Sequence, residues 1–368
     1  MKKNLTLLLI LFTPFFHAQV SRKLQPGFEK AECLEMLRIA QLQALDTSKW
    51  RAPRSVAPPQ KFTFVYRSAA VGLQNVWDLW VSRDSVAVIS IRGTDIEPNP
   101  VSWLANLYAA MVPTKGELKL EKNFIFNYNL SDDPKAAVHI GFLISTAYLS
   151  RDILPKIDSC YKKAGIKHFI IAGHSQGGAI TYLLTSYLES LKSQHKIPED
   201  IRFKTYASAA PKTGNLYYAY QFETLTRNWA FNAVNTSDWV PEVPLSVQTE
   251  RDFTDVNPFK GAKAVIKQQK FLTRHVLRHL YTKMSKPSNK AQKNYEKYLG
   301  TMVSKLIKKV LPEFEPPTYF KSSNYVRIGT TIVLYADDTY KKVFPQNDHE
   351  VWLNHFIDRY MYLAEKLN

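Results

Sequence analysis

The sequence predicts an α/β fold built on a mostly parallel β-sheet with helices on both faces. Strand-like and helix-like segments alternate from about residue 62 to residue 240, which is the rhythm of repeated βαβ units. The short apolar block VAVISI at 86–91 is typical of a strand buried on both faces, as strands inside a parallel sheet are. A length of 368 residues and an apolar content of 45% suit one large globular domain.

The N-terminus has the pattern of a secretory signal peptide. Lys2 and Lys3 precede an apolar run at 5–16, and Ala18 is a small residue suited to the position before cleavage. The run is too short to cross a bilayer, which takes roughly 20 apolar residues. We therefore predict a signal peptide over 1–18 and an exported protein, periplasmic or extracellular. A buried amphipathic helix is the alternative.

The remaining elements follow from apolar periodicity and turn residues. Strands are predicted within KFTFVYRS, NVWDLWVS, DSVAVISIRG, KHFIIAG, IRFKTYASAA, AFNAVNTSD and NYVRIGTTIVLYAD. Helices are predicted within FEKAECLEMLRIAQLQAL, SWLANLYAAM, GFLISTAYLSRDILPKIDSCYKKAG, GAITYLLTSYLESLKS and EVWLNHFIDRYMYLAEKL. The alternation breaks after Pro244. We predict one domain over 19–368, with a helical insert at 250–322 before the last strand, rather than two independent domains.

The positive charge of the chain is concentrated in this insert. The formal net charge is +17, and residues 260–321 contain 15 Lys and Arg against three Glu. Two long amphipathic helices are predicted there, at about 261–284 and 291–311, each with an apolar stripe. The stripes consist of Ala262, Val265, Ile266, Leu272, Val276 and Leu280, and of Tyr295, Tyr298, Leu299, Met302, Val303, Leu306, Ile307 and Val310.

Two interpretations of the basic insert stay open. Such helices suit an anionic membrane surface, which would be bound through residues 260–321. A stable helical cap with a solvated lysine face explains the pattern equally well. The sequence contains no recognisable nucleic-acid-reading motif, so nucleic acid is not an expected partner. No obligate protein partner is evident either.

The sequence contains two cysteines, Cys33 and Cys160. An exported protein can pair them in a disulfide, but two buried free thiols are the equal alternative, because spacing alone does not bring them together. No pair of Cys or His residues has the spacing of a metal site, so no metal is expected.

Residues 173–177, GHSQG, match the pattern G-x-S-x-G. The strand-like FIIA precedes this motif and the helix-like GAITYLL follows it, so Ser175 lies at a sharp strand-to-helix turn. Glycines are needed on both sides because a Cβ there would collide with a neighbouring strand or helix. The positive end of the helix faces the serine oxygen. Ser175 is therefore a candidate nucleophile, with an ordinary turn serine as the alternative.

An acid and a base are also needed, and the chain offers candidates after the serine. Asp238 follows a strand within VNTSDWVPEVP, at the carboxyl end of the sheet, although a turn aspartate is the commoner reading. His349 and His355 near the C-terminus are candidate bases. His275 and His279 lie among lysines and are expected on a solvated face.

Several segments, in order, resemble one known family. They are ISIRGTD, SWLANL, VHIGFLISTAY, IAGHSQGGAIT, YASAAPKTGN, NAVNTSDWVPEVP and HFIDRYM. Together they resemble the oxyanion turn, lid helix, serine elbow, aspartate loop and terminal histidine of the class 3, or fungal-type, lipases of the α/β-hydrolase superfamily. The resemblance covers roughly residues 60–244 and 325–364, and Ala209 and Lys212 depart from the usual residues.

By this resemblance Ser175 is the nucleophile and Asp238 orients the base. His355 is the favoured base because Tyr360 stands at the family's spacing from it, and His349 is the alternative.

The resemblance also implies the oxyanion hole and a lid. Thr94 and the backbone N–H of Gln176 would donate to the oxyanion, and Asp95 either orients Thr94 or is a simple turn residue. The lid would occupy 96–115, with an apolar side made of Trp103, Leu104, Leu107, Tyr108 and Met111. Of these, Trp103, Leu104 and Leu107 are the predicted substrate contacts. A plain surface helix packed on the core is the alternative to a lid.

The function that follows is ester hydrolysis through an acyl-enzyme. The resemblance implies a secreted serine carboxylic-ester hydrolase (EC 3.1.1) of the triacylglycerol lipase or carboxylesterase type, whose substrate is a lipid or other ester. The scheme requires no cofactor. The alternatives are a phospholipase A1-type enzyme at anionic membranes and a hydrolase fold used as a binding scaffold without turnover.

Overall fold

The computed structural model describes residues 24–44, 56–95, 100–345 and 349–367. The predicted signal peptide at 1–18 and the first four residues of the predicted lid range, 96–99, lie outside the described residues.

Strands and helices are numbered separately in chain order. The strands are β1 Phe62–Arg67, β2 Trp77–Ser82, β3 Val86–Ile91, β4 Met111–Pro113, β5 Lys115–Glu121, β6 Phe124–Asn129, β7 Ala137–His139, β8 His168–His174, β9 Arg202–Ser208, β10 Gly214–Asn215, β11 Ala230–Asn235, β12 Tyr325–Val326 and β13 Thr330–Leu334. The α-helices are α1 Lys30–Gln43, α2 Pro100–Leu107, α3 Ile140–Ala164, α4 Gln176–Ser193, α5 Leu216–Leu225, α6 Ala262–Lys267, α7 Phe271–Asn294, α8 Val303–Val310, α9 Asp338–Val343 and α10 Ile357–Glu365.

The central sheet has seven strands in the order β1-β2-β3-β8-β9-β11-β13. The first three strands pair antiparallel, and every pairing from β3 onward is parallel. All six residues of β3 are buried, as its apolar sequence predicts for a strand covered on both faces, and all six residues of β11 are buried as well.

Helices cover both faces of this sheet. On one face, α3 and α4 pack against Ile89 and Phe169 in the larger apolar core. On the other, α1 and α10 pack together over Val88 and Ile170 in a second core. The predicted α/β-hydrolase architecture, with its mostly parallel sheet, is confirmed.

A second sheet and a hairpin were not predicted. Strands β12-β10-β7-β4 form a four-stranded sheet, and β5 pairs with β6 as a separate hairpin. The members of the second sheet are two or three residues long, so they contain no alternation that a sequence pattern can reveal.

The insert between β11 and β12 is helical, as predicted, but its division differs. Instead of two helices separated near residue 288, α7 continues without a break through a π-helix, Tyr295–Met302, into α8. Pro287 lies inside α7. A proline inside a helix removes one backbone hydrogen bond and crowds the carbonyl four residues before it, which here is that of Lys283.

The two predicted apolar stripes of the insert differ in how far they are buried. Val303 and Ile307 of α8 are buried in the larger core, against α2, whereas Leu272, Val276 and Leu280 of α7 are exposed. Among the described residues, no helix is both long and apolar enough to cross a membrane.

The two cysteines are free thiols in the structure. Cys33 on α1 is buried, and burial raises its pKa to about 12; Cys160 on α3 is half-buried, and burial raises its pKa as well. The sequence left a disulfide and two free thiols as equal alternatives, and the structure has two free thiols.

Candidate active site

Ser175 occupies the turn between β8 and α4. Its backbone has φ of 59° and ψ of −131°, a region that residues with a side chain rarely adopt. The Ser175 N–H donates to the Ser208 carbonyl on the neighbouring strand at 2.9 Å, which fixes the turn. His174 and Gln176 on either side are buried, but Ser175 is partly exposed. The turn therefore presents the serine at the carboxyl edge of the sheet.

The glycines beside Ser175 are required by close backbone approach. A Cβ on Gly173 would lie 2.4 Å from the carbonyl carbon of Gly177, and a Cβ on Gly177 would lie 2.1 Å from the Ile91 carbonyl oxygen. Side chains do not fit at these distances. The steric reason that the sequence suggests for G-x-S-x-G therefore holds in the structure.

Asp238 and His355 are joined by a hydrogen bond. Nδ1 of His355 lies 2.8 Å from Oδ2 of Asp238, and both side chains are largely buried. Tyr360 donates to the same Oδ2 at 2.7 Å, and the Val240 N–H donates to Oδ1 at 3.0 Å. The carboxylate thus has three donors around it, so both of its buried oxygens have hydrogen-bond partners.

His174 ties this pair to the serine turn. Its Nε2–H donates to the His355 carbonyl at 2.9 Å, so its Nδ1 accepts from the Ser208 hydroxyl, also at 2.9 Å. Burial, with His355 close by, lowers the pKa of His174 well below 6.5, and the ring stays neutral. A neutral ring with one donor and one acceptor satisfies both partners.

Two further contacts hold the segment that carries His355. Asn235 at the end of β11 donates to the Asn354 carbonyl at 2.9 Å. Trp239, next to Asp238, donates through Nε1 to the Val351 carbonyl at 2.8 Å. The segment before α10 is therefore attached to the same loops that carry the aspartate.

Ser175 and His355 come to the same edge of the sheet without a direct bond. Within the described residues, no hydrogen bond of 3.5 Å or less joins the Ser175 hydroxyl to the His355 ring. Such contacts are often long in ligand-free enzymes and tighten with substrate. The other candidate base, His349, is exposed. His275 and His279 are also exposed, as predicted.

The two oxyanion candidates are both connected to α2. Asn106 donates from Nδ2 to the Thr94 hydroxyl at 2.9 Å. The Gln176 side chain donates to the Ser102 carbonyl at 3.0 Å, and its backbone N–H lies in the first turn of α4. Asp95 forms an ion pair with Arg92 at 3.3 Å. The partner that the structure gives the Thr94 hydroxyl is thus Asn106, which the sequence did not single out.

The predicted lid helix is shorter than its predicted range. Helix α2 ends at Leu107; Tyr108 is buried, and Met111 is buried within β4. Trp103 and Leu104 are half-buried, and Leu107 is 48% exposed. The five apolar residues therefore do not form one side of a single helix, because two of them belong to the core beyond its end.

Three tryptophans from distant segments meet above His355. The Trp352 ring lies 5.6 Å from the His355 ring, 4.7 Å from Trp239 and 5.8 Å from Trp103 on α2. This cluster places α2 over the histidine. Sequence reasoning missed it because 249 positions separate Trp103 from Trp352, and the motif that contains Trp103 says nothing about its partner.

Comparison with known proteins finds one family whose profile matches part of this chain. The profile of a family described as "Lipase (class 3)" matches residues 88–248, which include most of β3, the serine turn and Asp238. The matched part of the chain is similar to the class 3 lipases. It is less than half of the chain, and His355 lies beyond it.

One curated relative and several solved structures are also similar to this chain. "Secreted mono- and diacylglycerol lipase 1" of Fusarium solani is 24% identical over 139 residues, which cover 36% of this chain and 39% of that protein. This chain thus aligns with about two fifths of the relative's length. A Rhizomucor miehei lipase in complex with its propeptide has a TM-score of 0.43 and 16% identity, over 60% of this chain and 66% of that one. Lip2 lipase of Yarrowia lipolytica has a TM-score of 0.44 and 16% identity, over 61% and 77%.

Proposed function

We propose that this protein is a serine carboxylic-ester hydrolase that cleaves acylglycerol ester bonds. The observation that carries the proposal is the buried Asp238–His355 hydrogen bond, tied through His174 to the strained Ser175 turn. The match of residues 88–248 to the class 3 lipase profile supports it, as does the name of the Fusarium solani relative, a mono- and diacylglycerol lipase.

The proposed reaction has two halves. In the first, His355 Nε2 takes the proton of the Ser175 hydroxyl while Oγ attacks the ester carbonyl. The N–H of Gln176 and the hydroxyl of Thr94 stabilise the oxyanion, and Asp238 stabilises the positive imidazolium. His355 then protonates the leaving alcohol. In the second half, His355 deprotonates a water molecule that attacks the acyl group on Ser175. The protonated His355 then returns that proton to the serine oxygen as the bond to the acyl group breaks and the acid leaves. The scheme uses side chains and backbone alone.

The proposal includes export. The basic and apolar pattern at 1–18 supports a cleaved signal peptide, and the Fusarium solani relative is named as secreted. Cleavage after Ala18 would release the domain at 19–368 to the periplasm or the medium. Finding uncleaved protein in the cytoplasm of its native host would contradict this part.

The test uses purified protein lacking residues 1–18. Hydrolysis of a soluble short-chain ester, a triacylglycerol, a diacylglycerol and a phospholipid is measured for the unaltered protein, for Ser175→Ala and for Ser193→Ala. Ser193 is at the exposed end of α4, so its change is the control. We expect Ser175→Ala to lower kcat by at least about a thousandfold, and Ser193→Ala to match the unaltered protein.

Each alternative predicts a different result in the same panel. A binding scaffold without turnover would leave all four substrates intact with the unaltered protein. A phospholipase A1-type enzyme would prefer the phospholipid to the acylglycerols. Full activity in Ser175→Ala would overturn the assignment of the nucleophile.

A further inference from the structure

Helix α7 exposes an apolar stripe to solvent. Leu272, Val276, Leu280 and Met284 are each more than half exposed, between 55% and 78%. They are four positions apart, and each such step turns about 40° around a helix, so the four form one continuous band. A soluble protein rarely leaves such a band uncovered unless something binds it.

The same helix and the segment just before it are strongly basic. Residues 260–294 contain ten Lys and Arg, six of them within α7, and no Asp or Glu. Among the described residues, none of these ten forms an ion pair within 4.0 Å. Lys283, Lys286 and Lys290 are exposed and lie within about 40° of Leu272 around the helix. Their charges are therefore available to an anionic partner beside the apolar band.

We propose that α7 is a docking helix for an anionic lipid surface. Its apolar band would enter the boundary between headgroups and acyl chains, while the lysines extend toward lipid phosphates. Positive charge alone would suit any polyanion, but nucleic acid offers nothing to cover the apolar band. The proposal rests on the proposed action on lipid esters, because docking there brings the enzyme to its substrate.

The C-terminal end of α7 connects this surface to α2. The helix continues through Tyr295–Met302 into α8, whose Val303 and Ile307 share a core with Ala105 of α2. The Leu299 carbonyl also accepts the N–H of Ala110 at 3.1 Å, just after α2. One continuous helix thus links the proposed docking surface to the element that covers His355.

The experiment measures binding to vesicles with the Ser175→Ala protein, so that no turnover is needed. Vesicles of phosphatidylcholine alone are compared with vesicles of phosphatidylcholine and phosphatidylglycerol. The stripe variant is Leu272→Gln with Leu280→Gln, and the charge variant is Lys283→Gln with Lys286→Gln and Lys290→Gln. Matched controls outside the insert are Leu225→Gln on α5 and Lys162→Gln with Lys163→Gln on α3; all three residues are exposed. Circular dichroism checks that helix content is kept.

The proposal predicts tighter binding to the anionic vesicles by at least about tenfold. The stripe variant should weaken that binding roughly tenfold and the charge variant roughly a hundredfold, and the controls should bind like the parent. Equal binding to both vesicles overturns the proposal, as do α7 variants that bind like the parent. Binding that depends on the lysines but not on the stripe, and that nucleic acid competes away, would identify a general polyanion surface and also overturn it. Ester hydrolysis by the unaltered protein is measured in a separate assay. A failure of the docking proposal can therefore be distinguished from a failure of the proposed function.

Discussion

The hydroxyl of Tyr360 lies 2.7 Å from Oδ2 of Asp238, the carboxylate oxygen that also contacts His355. Burial and the nearby carboxylate raise the pKa of Tyr360 well above 10, so the phenol keeps its proton and remains a donor. The tyrosine thereby fixes the aspartate in the position from which it can orient the histidine.

Replacing Tyr360 with Phe should lower kcat roughly tenfold and leave KM nearly unchanged, because a hydrogen bond to a charged group contributes about 1.5–3 kcal/mol. Steady-state kinetics on a soluble ester provide the measurement. Tyr362→Phe, on the same helix but partly exposed, is the control. A Tyr360→Phe enzyme with the parental kcat would show that the hydroxyl does not position Asp238 for catalysis.

The identity of the base can be decided with two alanine variants. His355→Ala should lower kcat by at least about a thousandfold, because it removes the proposed proton carrier. His349→Ala, at an exposed position, should stay within about twofold of the parent. The reverse pattern would transfer the role to His349. Thermal unfolding of both variants checks that the fold survives.

The contact between Trp103 and Trp352 should hold α2 in its covering position. An aromatic pair contributes about 0.5–1.5 kcal/mol beyond its buried area, so Trp103→Ala should raise hydrolysis of a soluble monomeric ester about two- to tenfold. The ratio of the rate on an aggregated ester to the rate on the monomeric ester should fall by a similar factor. Trp103→Phe should give an intermediate result. Unchanged rates on both substrate forms would argue that α2 is a fixed surface helix.

The serine turn should not tolerate a methyl group at position 177. Because the added Cβ would lie 2.1 Å from the Ile91 carbonyl oxygen, Gly177→Ala should reduce the free energy of unfolding by about 1–3 kcal/mol. Gly261→Ala is the matched control, since a Cβ there meets nothing within 4 Å. Denaturant unfolding measures both. Equal stability of the two variants would contradict the packing described for the turn.

A buried histidine outside the site should make stability fall in acid. Burial lowers the pKa of His139 from 6.5 to about 3, and the ring stacks on Phe142 at 3.9 Å. Below pH 6.5 the unfolded chain takes up a proton that the folded chain refuses, so stability decreases as pH falls from 6.5 toward 3. Unfolding measured across this range should show a shallower decline for His139→Gln than for the parent. Parallel curves would exclude His139 as a source of the acid sensitivity.

Local patterns predicted much of the fold and of the candidate site. The turn at Ser175 was predictable because two glycines and the change from a strand pattern to a helix pattern lie within a few residues of it. The long strands were predictable because strands covered on both faces are continuously apolar. The second sheet was not, since strands of two or three residues have no period.

Contacts between distant segments were beyond the sequence. Nothing near Trp103 indicates Trp352, and nothing near Thr94 singles out Asn106, because both pairings depend on where α2 lies over the sheet. The stripe of α7 was visible in the sequence, but its exposure was not. A helical apolar band looks the same whether a core or solvent faces it.

The bond from His174 to the His355 carbonyl has a consequence for how this protein can vary. The chain between Asp238 and His355 includes the whole basic insert. Even so, hydrogen bonds from His174 at the end of β8 and Asn235 at the end of β11 hold the segment that carries His355. The relative positions of Asp238 and His355 therefore do not depend on the length of the insert between them. A change in the length of α6 and α7 would alter the proposed docking surface, and we expect Ser175, Asp238 and His355 to keep their positions.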